Sequence, residues 1–139
     1  MTNLAVRIIP NELVNQWMTL TREHIEAGLS NSDISFEQAR VFLSNGSWHL
    51  LVALDEEQNI SGAYTLALAN EPNDRVATIV TAGGRGLASQ GAFDQVCHVA
   101  KSLGATKIQA LATESGARLY KRAGLVEKAI LMEKKLWAE

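Results

Sequence analysis

Residues 75–86, Arg75-Val76-Ala77-Thr78-Ile79-Val80-Thr81-Ala82-Gly83-Gly84-Arg85-Gly86, join a β-prone run to three glycines in four positions. Beyond them Phe93, Val96, Cys97, Ala100 and Leu103 recur at helical spacing, and Gly104 sits where a helix favours a left-handed last residue. The stretch reads as a strand over Arg75–Thr81, a glycine turn and a helix. Glycines let backbone amides converge, and a helix N-terminus adds unpaired N–H groups and the positive end of its dipole. Gly83, Gly84, Arg85 and Gly86, with the amides of Leu87 to Gln90, are therefore candidates to cradle a pyrophosphate, Arg85 supplying a charged donor. The same glycines equally suit a tight strand-to-helix corner without a ligand. The string lacks the Gly-Lys-Ser/Thr of a nucleotide P-loop and the βαβ setting of a dinucleotide fingerprint.

Upstream, Val6-Arg7-Ile8-Ile9 is a short strand stopped by Pro10. Leu13, Val14, Trp17, Met18 and Ile25 follow at the spacing of one helix. Ser35-Phe36-Glu37-Gln38 has the form of a capping box and opens a second helix to about Leu43. Trp48–Leu54, Ile60–Ala69 and Arg75–Thr81 are β-prone runs joined by the polar tips 55–59 and 70–74, which makes them an antiparallel meander. Downstream, the pattern predicts a strand over Thr106–Ala112, a helix over Ser115–Ala123 ended by Gly124, and a last strand over Val126–Trp137. The order is β-α-α-β-β-β-α-β-α-β.

Thr113-Glu114-Ser115-Gly116-Ala117-Arg118-Leu119-Tyr120-Lys121-Arg122-Ala123-Gly124-Leu125 resembles the C-terminal motif of the GNAT N-acetyltransferase superfamily. There, an Asn-initiated helix carries Ala, Leu and Tyr and ends at Gly-Phe. Thr113 stands in the Asn position, Ala117, Leu119 and Tyr120 fall on the helix positions, and Gly124-Leu125 replaces Gly-Phe. The resemblance implies an α/β (α+β) fold over residues 1–139: one GNAT-like domain with a mixed central sheet, an antiparallel N-terminal meander, a splayed parallel strand pair and flanking helices. It implies acetyl transfer from acetyl-coenzyme A, as co-substrate, to an amine of a small molecule or protein. The cofactor would lie between Arg75–Thr81 and Thr106–Ala112, its pyrophosphate on the glycine loop, with Thr113 bridging to its arm. Tyr120 would be the general acid toward the departing thiolate, its phenol pKa of about 10 being near that of the leaving group. Tyr120 also reads as an amphipathic core residue closing the helix on the sheet.

The family's Gln/Arg-x-x-Gly-x-Gly/Ala loop has no legible counterpart after Thr81, where Gly-Gly-Arg-Gly-Leu-Ala-Ser stands instead. This compact form and the Ala100–Ala105 stretch also resemble small GNAT-like proteins encoded among bacteriophage genes. Some of those look like virion or assembly components, so a non-catalytic interaction protein is the alternative reading.

The 139 residues carry a net charge of −2, and 47% are hydrophobic. That balance points to one core and away from a general nucleic-acid binder. Residues 88–139 hold eight basic and five acidic side chains, residues 1–87 five and ten, so phosphates meet the better field in the C-terminal part and a cationic acceptor in the acidic part. No segment has the length and apolarity of a bilayer span or the form of a secretory leader, and the reading is a cytoplasmic chain without membrane partners. Cys97 is the single cysteine and reads as packing, and His24, His49 and His98 lie on separate elements, so no metal site is expected. Glu71 and Asp74 sit on a hairpin tip and Glu23 and Glu26 on the first helix, leaving the general base unassigned. Trp137, close to the end of an edge-like last strand, suggests a partner surface and a homodimer through that strand.

Overall fold

Ser35 accepts a hydrogen bond from the Gln38 amide, while the Gln38 side chain accepts one from the Ser35 amide. The capping box thus starts a helix where the sequence places it. The computed structural model describes residues 3–30, 32–112 and 114–137. Strand β1 (Ala5–Ile8) leads through a short 3-10 turn into α1 (Val14–Leu20) and α2 (Arg22–Leu29), and α3 (Phe36–Ser44) follows. Strands β2 (Trp48–Leu54), β3 (Ile60–Asn70) and β4 (Arg75–Gly84) come next, then α4 (Gln90–Ser102), β5 (Lys107–Ala110) and α5 (Glu114–Arg122).

The single helix expected over Leu13–Ile25 is in fact two. Thr21, fully buried, donates its hydroxyl to the Trp17 carbonyl at 2.8 Å, and its backbone (φ −108°, ψ 8°) departs from helical values. Such back-bonding bends a helix, and here it turns α2 onto the sheet.

The five strands lie in the order β1-β2-β3-β4-β5, with β1 to β4 antiparallel and β5 parallel to β4. Two cores cover the faces. Ile25, Leu29, Ala39 and Leu43 pack with Leu50, Val52 and Ala63 on one. Leu51, Tyr64, Leu66 and Ile79 pack with Phe93 and Val96 on the other. Alternate residues of β2 thus serve opposite cores, as a pleated strand covered on both sides requires. Gly104 (φ +90°) closes α4, with the Ala105 amide donating to Ala100, and Gly124 (φ +98°) closes α5 in the same way, Leu125 donating to Tyr120. The result is a single α/β domain with the mixed sheet, meander and parallel pair expected from the sequence.

β5 (Lys107–Ala110) is shorter than the expected Thr106–Ala112, and two further boundaries differ more. β4 runs through Gly83 and Gly84, because both pair with β3 opposite Ala63 and Gly62. Residues 126–135 carry no regular structure, where a strand over Val126–Trp137 is expected: they do not pair with β5, the outermost described strand. Strand propensity without a pairing partner does not make a strand.

Candidate functional site

β4 and β5 pair only from Val76–Lys107 to Ile79–Ala110, after which β4 continues alone beside β3. At that point β4 gains a residue: Ile79 faces Leu66 and Thr81 faces Thr65, leaving Val80 without a cross-strand partner. A bulge bends its strand and adds twist, so the two parallel strands part at Val80. Val80 packs on the first core and Ile79 on the second.

The Arg85 amide donates to the Ser61 carbonyl. The two-residue alternation of an antiparallel pair then directs the backbone groups of Thr81 and Gly83 toward β3, and those of Ala82 and Gly84 toward the side that β5 has left. Ala82 and Gly84 are exposed, Thr81 and Gly83 buried. An extended, amide-bearing ligand can lie there as an additional strand.

The loop from Arg85 to Ser89 is fixed from below. The buried Tyr64 hydroxyl donates to the Leu87 carbonyl at 2.7 Å, and Leu87 is itself buried. Ser89 caps α4 by accepting from the Ala92 amide, and the first turn of α4 holds no acidic residue. Arg85 is exposed and has no ion-pair partner among the described residues. A free guanidinium, an open loop backbone and a helix N-terminus are adjacent, a setting that suits a phosphate group.

The candidate glycines divide. Gly83 lies under α2, where a Cβ would run into the His24 carbonyl and the Gly28 amide, so packing of α2 on β4 demands glycine there. Gly84 (φ +132°) crosses Ser61 and Gly62, and a side chain would collide with that backbone. Gly86 (φ +74°) turns the loop beside Leu4. Thr113 lies outside the described residues.

Tyr120, on α5, is half-buried against the second core, its ring edge-on to Phe93 at 5.9 Å between centroids. Burial raises its phenol pKa above the ordinary value of 10.0, which keeps the group protonated at neutral pH. Burial, with Tyr120 nearby, raises the Tyr64 phenol further. Leu87 and Phe93 are both buried in the second core.

The sequence reading passed over Tyr64, which looks like any aromatic in an apolar strand, and Val80, because a bulge depends on register. A cavity of about 370 Å³ between Ile9, Val14, Trp48 and Leu103 lies by the opposite end of the sheet. Its His49 has its pKa lowered by burial and by Arg75. No helix among the described residues is long and apolar enough to cross a membrane.

Neither a protein-family model nor a curated protein sequence matches the chain. Solved structures do. A predicted acetyltransferase of Clostridium acetobutylicum, crystallised with acetyl-CoA, superposes with a TM-score of 0.65 at 17% identity, covering 96% of each chain. An aminoglycoside acetyltransferase from an uncultured soil metagenomic sample reaches 0.70 at 14% identity over 97% of each chain. Glucosamine-6-phosphate N-acetyltransferase from Arabidopsis thaliana reaches 0.63 at 16%, covering 96% of this chain and 98% of that one. Likeness along nearly the whole length, with the β4 and β5 geometry above, identifies the fold of this chain as that of the GNAT acetyltransferases.

Proposed function

We propose that the protein is an acyl-coenzyme A dependent N-acyltransferase that moves an acetyl group from acetyl-CoA to the amine of a small molecule or protein. The observation that carries this reading is the parting of β4 from β5 at the Val80 bulge, which leaves the backbone of Ala82 and Gly84 open beside the parallel pair. These groups hold the amide-bearing arm of the co-substrate. Arg85, Gly86 and the first amides of α4 hold its diphosphate, and Thr113, in the Asn position of the motif, is assigned to the arm by sequence alone.

The co-substrate supplies an activated thioester. The amine lone pair forms the new C–N bond, the C–S bond breaks, and the thiolate takes a proton. The Tyr120 hydroxyl donates it, and the raised phenol pKa keeps that proton in place until the thiolate forms. The ten acidic side chains of residues 1–87 favour a cationic acceptor. Release of free thiol from acetyl-CoA, followed across a panel of polyamines, amino sugars and peptide N-termini, tests the reading. Amine-dependent thiol supports it, and its absence with every acceptor class overturns it.

A further inference from the structure

β4 is pinned on both sides of its bulge. Before it, Ile79 pairs with Leu66 and with Ala110 of β5, and its side chain packs on the second core. After it, Gly83 pairs with Ala63 and lies under α2, where a Cβ would run into helix backbone. The strand therefore carries one residue too many between two fixed points, and Val80 and Thr81 compete for the place opposite Thr65. Val80 packs on the first core and Thr81 lies under Gly28 of α2, so both face the α2 side, and a bulge sets two such residues against one on the neighbouring strand. Both are β-branched, so shape does not choose between them. The hydroxyl does. Thr65 and Thr81 share a hydrogen bond at 2.8 Å, and they are 0% and 2% exposed. With Val80 in that place, the Thr65 hydroxyl would be sealed under α2 without this partner, a costly state for a buried polar group.

We propose that Thr65 and Thr81 are positioning residues: their hydrogen bond makes Val80 the residue left out, and so sets where the opening between β4 and β5 begins. Among the described residues Val80 pairs with neither β3 nor β5. The inference rests on the acyltransferase reading, in which the diphosphate lies at Arg85 and the arm along Gly84 and Ala82. The thioester end then falls at Val80, the next open backbone along β4. Ala82 and Gly84 keep their register through Gly83 and α2 whichever residue is left out. The pair therefore governs turnover rather than affinity, acting through the Val80 backbone without touching the co-substrate.

Exchanging the two side chains, Val80→Thr together with Thr81→Val, moves the hydroxyl by one position and keeps the composition. Cross-strand NMR contacts, which need no substrate, should then show position 80 facing Thr65 and position 81 left out. Acetyl-CoA affinity by calorimetry should stay within about threefold of wild type while kcat falls about tenfold or more, because the reacting end is misplaced and the arm is not. Thr65→Val, which removes the choosing hydroxyl without touching β4, should give the same split between affinity and kcat. Thr81→Ser, which keeps the hydroxyl, should keep the wild-type register and turnover. An exchange variant that retains the wild-type register overturns the proposal whatever its activity. A shifted register with kcat unchanged overturns the positioning role, and so does a loss of affinity that matches the loss of turnover. A wild type that releases no amine-dependent thiol overturns the acyltransferase reading and the positioning role with it, and the register measured without substrate tells that failure apart from the others.

Discussion

The Tyr64 hydroxyl reaches across from β3 to donate a 2.7 Å hydrogen bond to the carbonyl of Leu87, in the middle of the loop between β4 and α4. Both residues are buried, so the bond fixes the loop backbone to the sheet rather than to solvent. Tyr64→Phe leaves a buried carbonyl without its donor, which costs about 1–3 kcal/mol. The expected outcome is a lower thermal midpoint together with several-fold weaker acetyl-CoA binding and little change in turnover at saturation. Unchanged affinity would show that the loop holds its shape without Tyr64.

α2 lies directly against the β4 backbone at Gly83. A Cβ at this position meets backbone on α2, which cannot give way as a side chain can. Gly83→Ala should destabilise the protein by about 2–4 kcal/mol in chemical denaturation. Gly91→Ala, with nothing within 4 Å of the added carbon, should be neutral or stabilising by up to about 1 kcal/mol. Equal effects at the two glycines would contradict the packing described here.

Tyr120→Phe removes one hydroxyl and keeps the ring against Phe93. Under the proposed chemistry turnover falls by about 100-fold or more, while acetyl-CoA affinity and thermal midpoint stay close to wild type. Turnover within a factor of two of wild type would leave Tyr120 as a packing residue only.

Asp74 accepts a hydrogen bond from the Thr106 hydroxyl at 3.0 Å and faces Lys107 at 3.3 Å, which joins the β3–β4 hairpin to β5. The Thr106 bond first, and then Lys107, hold its carboxyl below the usual 3.8. A carboxylate depressed by folding stabilises the protein above its unfolded pKa, and that contribution disappears as pH falls through the folded value. Stability should therefore decline in acid below about pH 4, and Asp74→Asn should flatten that decline. An identical acid profile in the variant would remove Asp74 from the account.

The elements fixed by local chemistry were legible in the sequence. Ser35 and Gln38 announce a helix start, Gly104 and Gly124 announce helix ends, and the polar tips at 55–59 and 70–74 delimit the meander. What the sequence obscured depends on distant partners. The Thr21 bend preserves helical periodicity on both sides, so Leu13 to Ile25 reads as one helix. Gly83 looks like a loop residue until α2 is seen above it. The Val80 bulge is a matter of register between β3 and β4, and no residue type signals it. Residues 126–137 have strand character in sequence, but pairing decides whether a strand forms, and they pair with none of the described strands.

The central claim is that the open backbone of β4, with Arg85 and the α4 N-terminus, forms a coenzyme A site. Calorimetric titration with acetyl-CoA, and separately with coenzyme A, tests it most directly. The account predicts saturable binding of one ligand per chain, weakened about tenfold or more by Arg85→Ala through loss of a charge-assisted hydrogen bond. No binding of either ligand at millimolar concentration would contradict it.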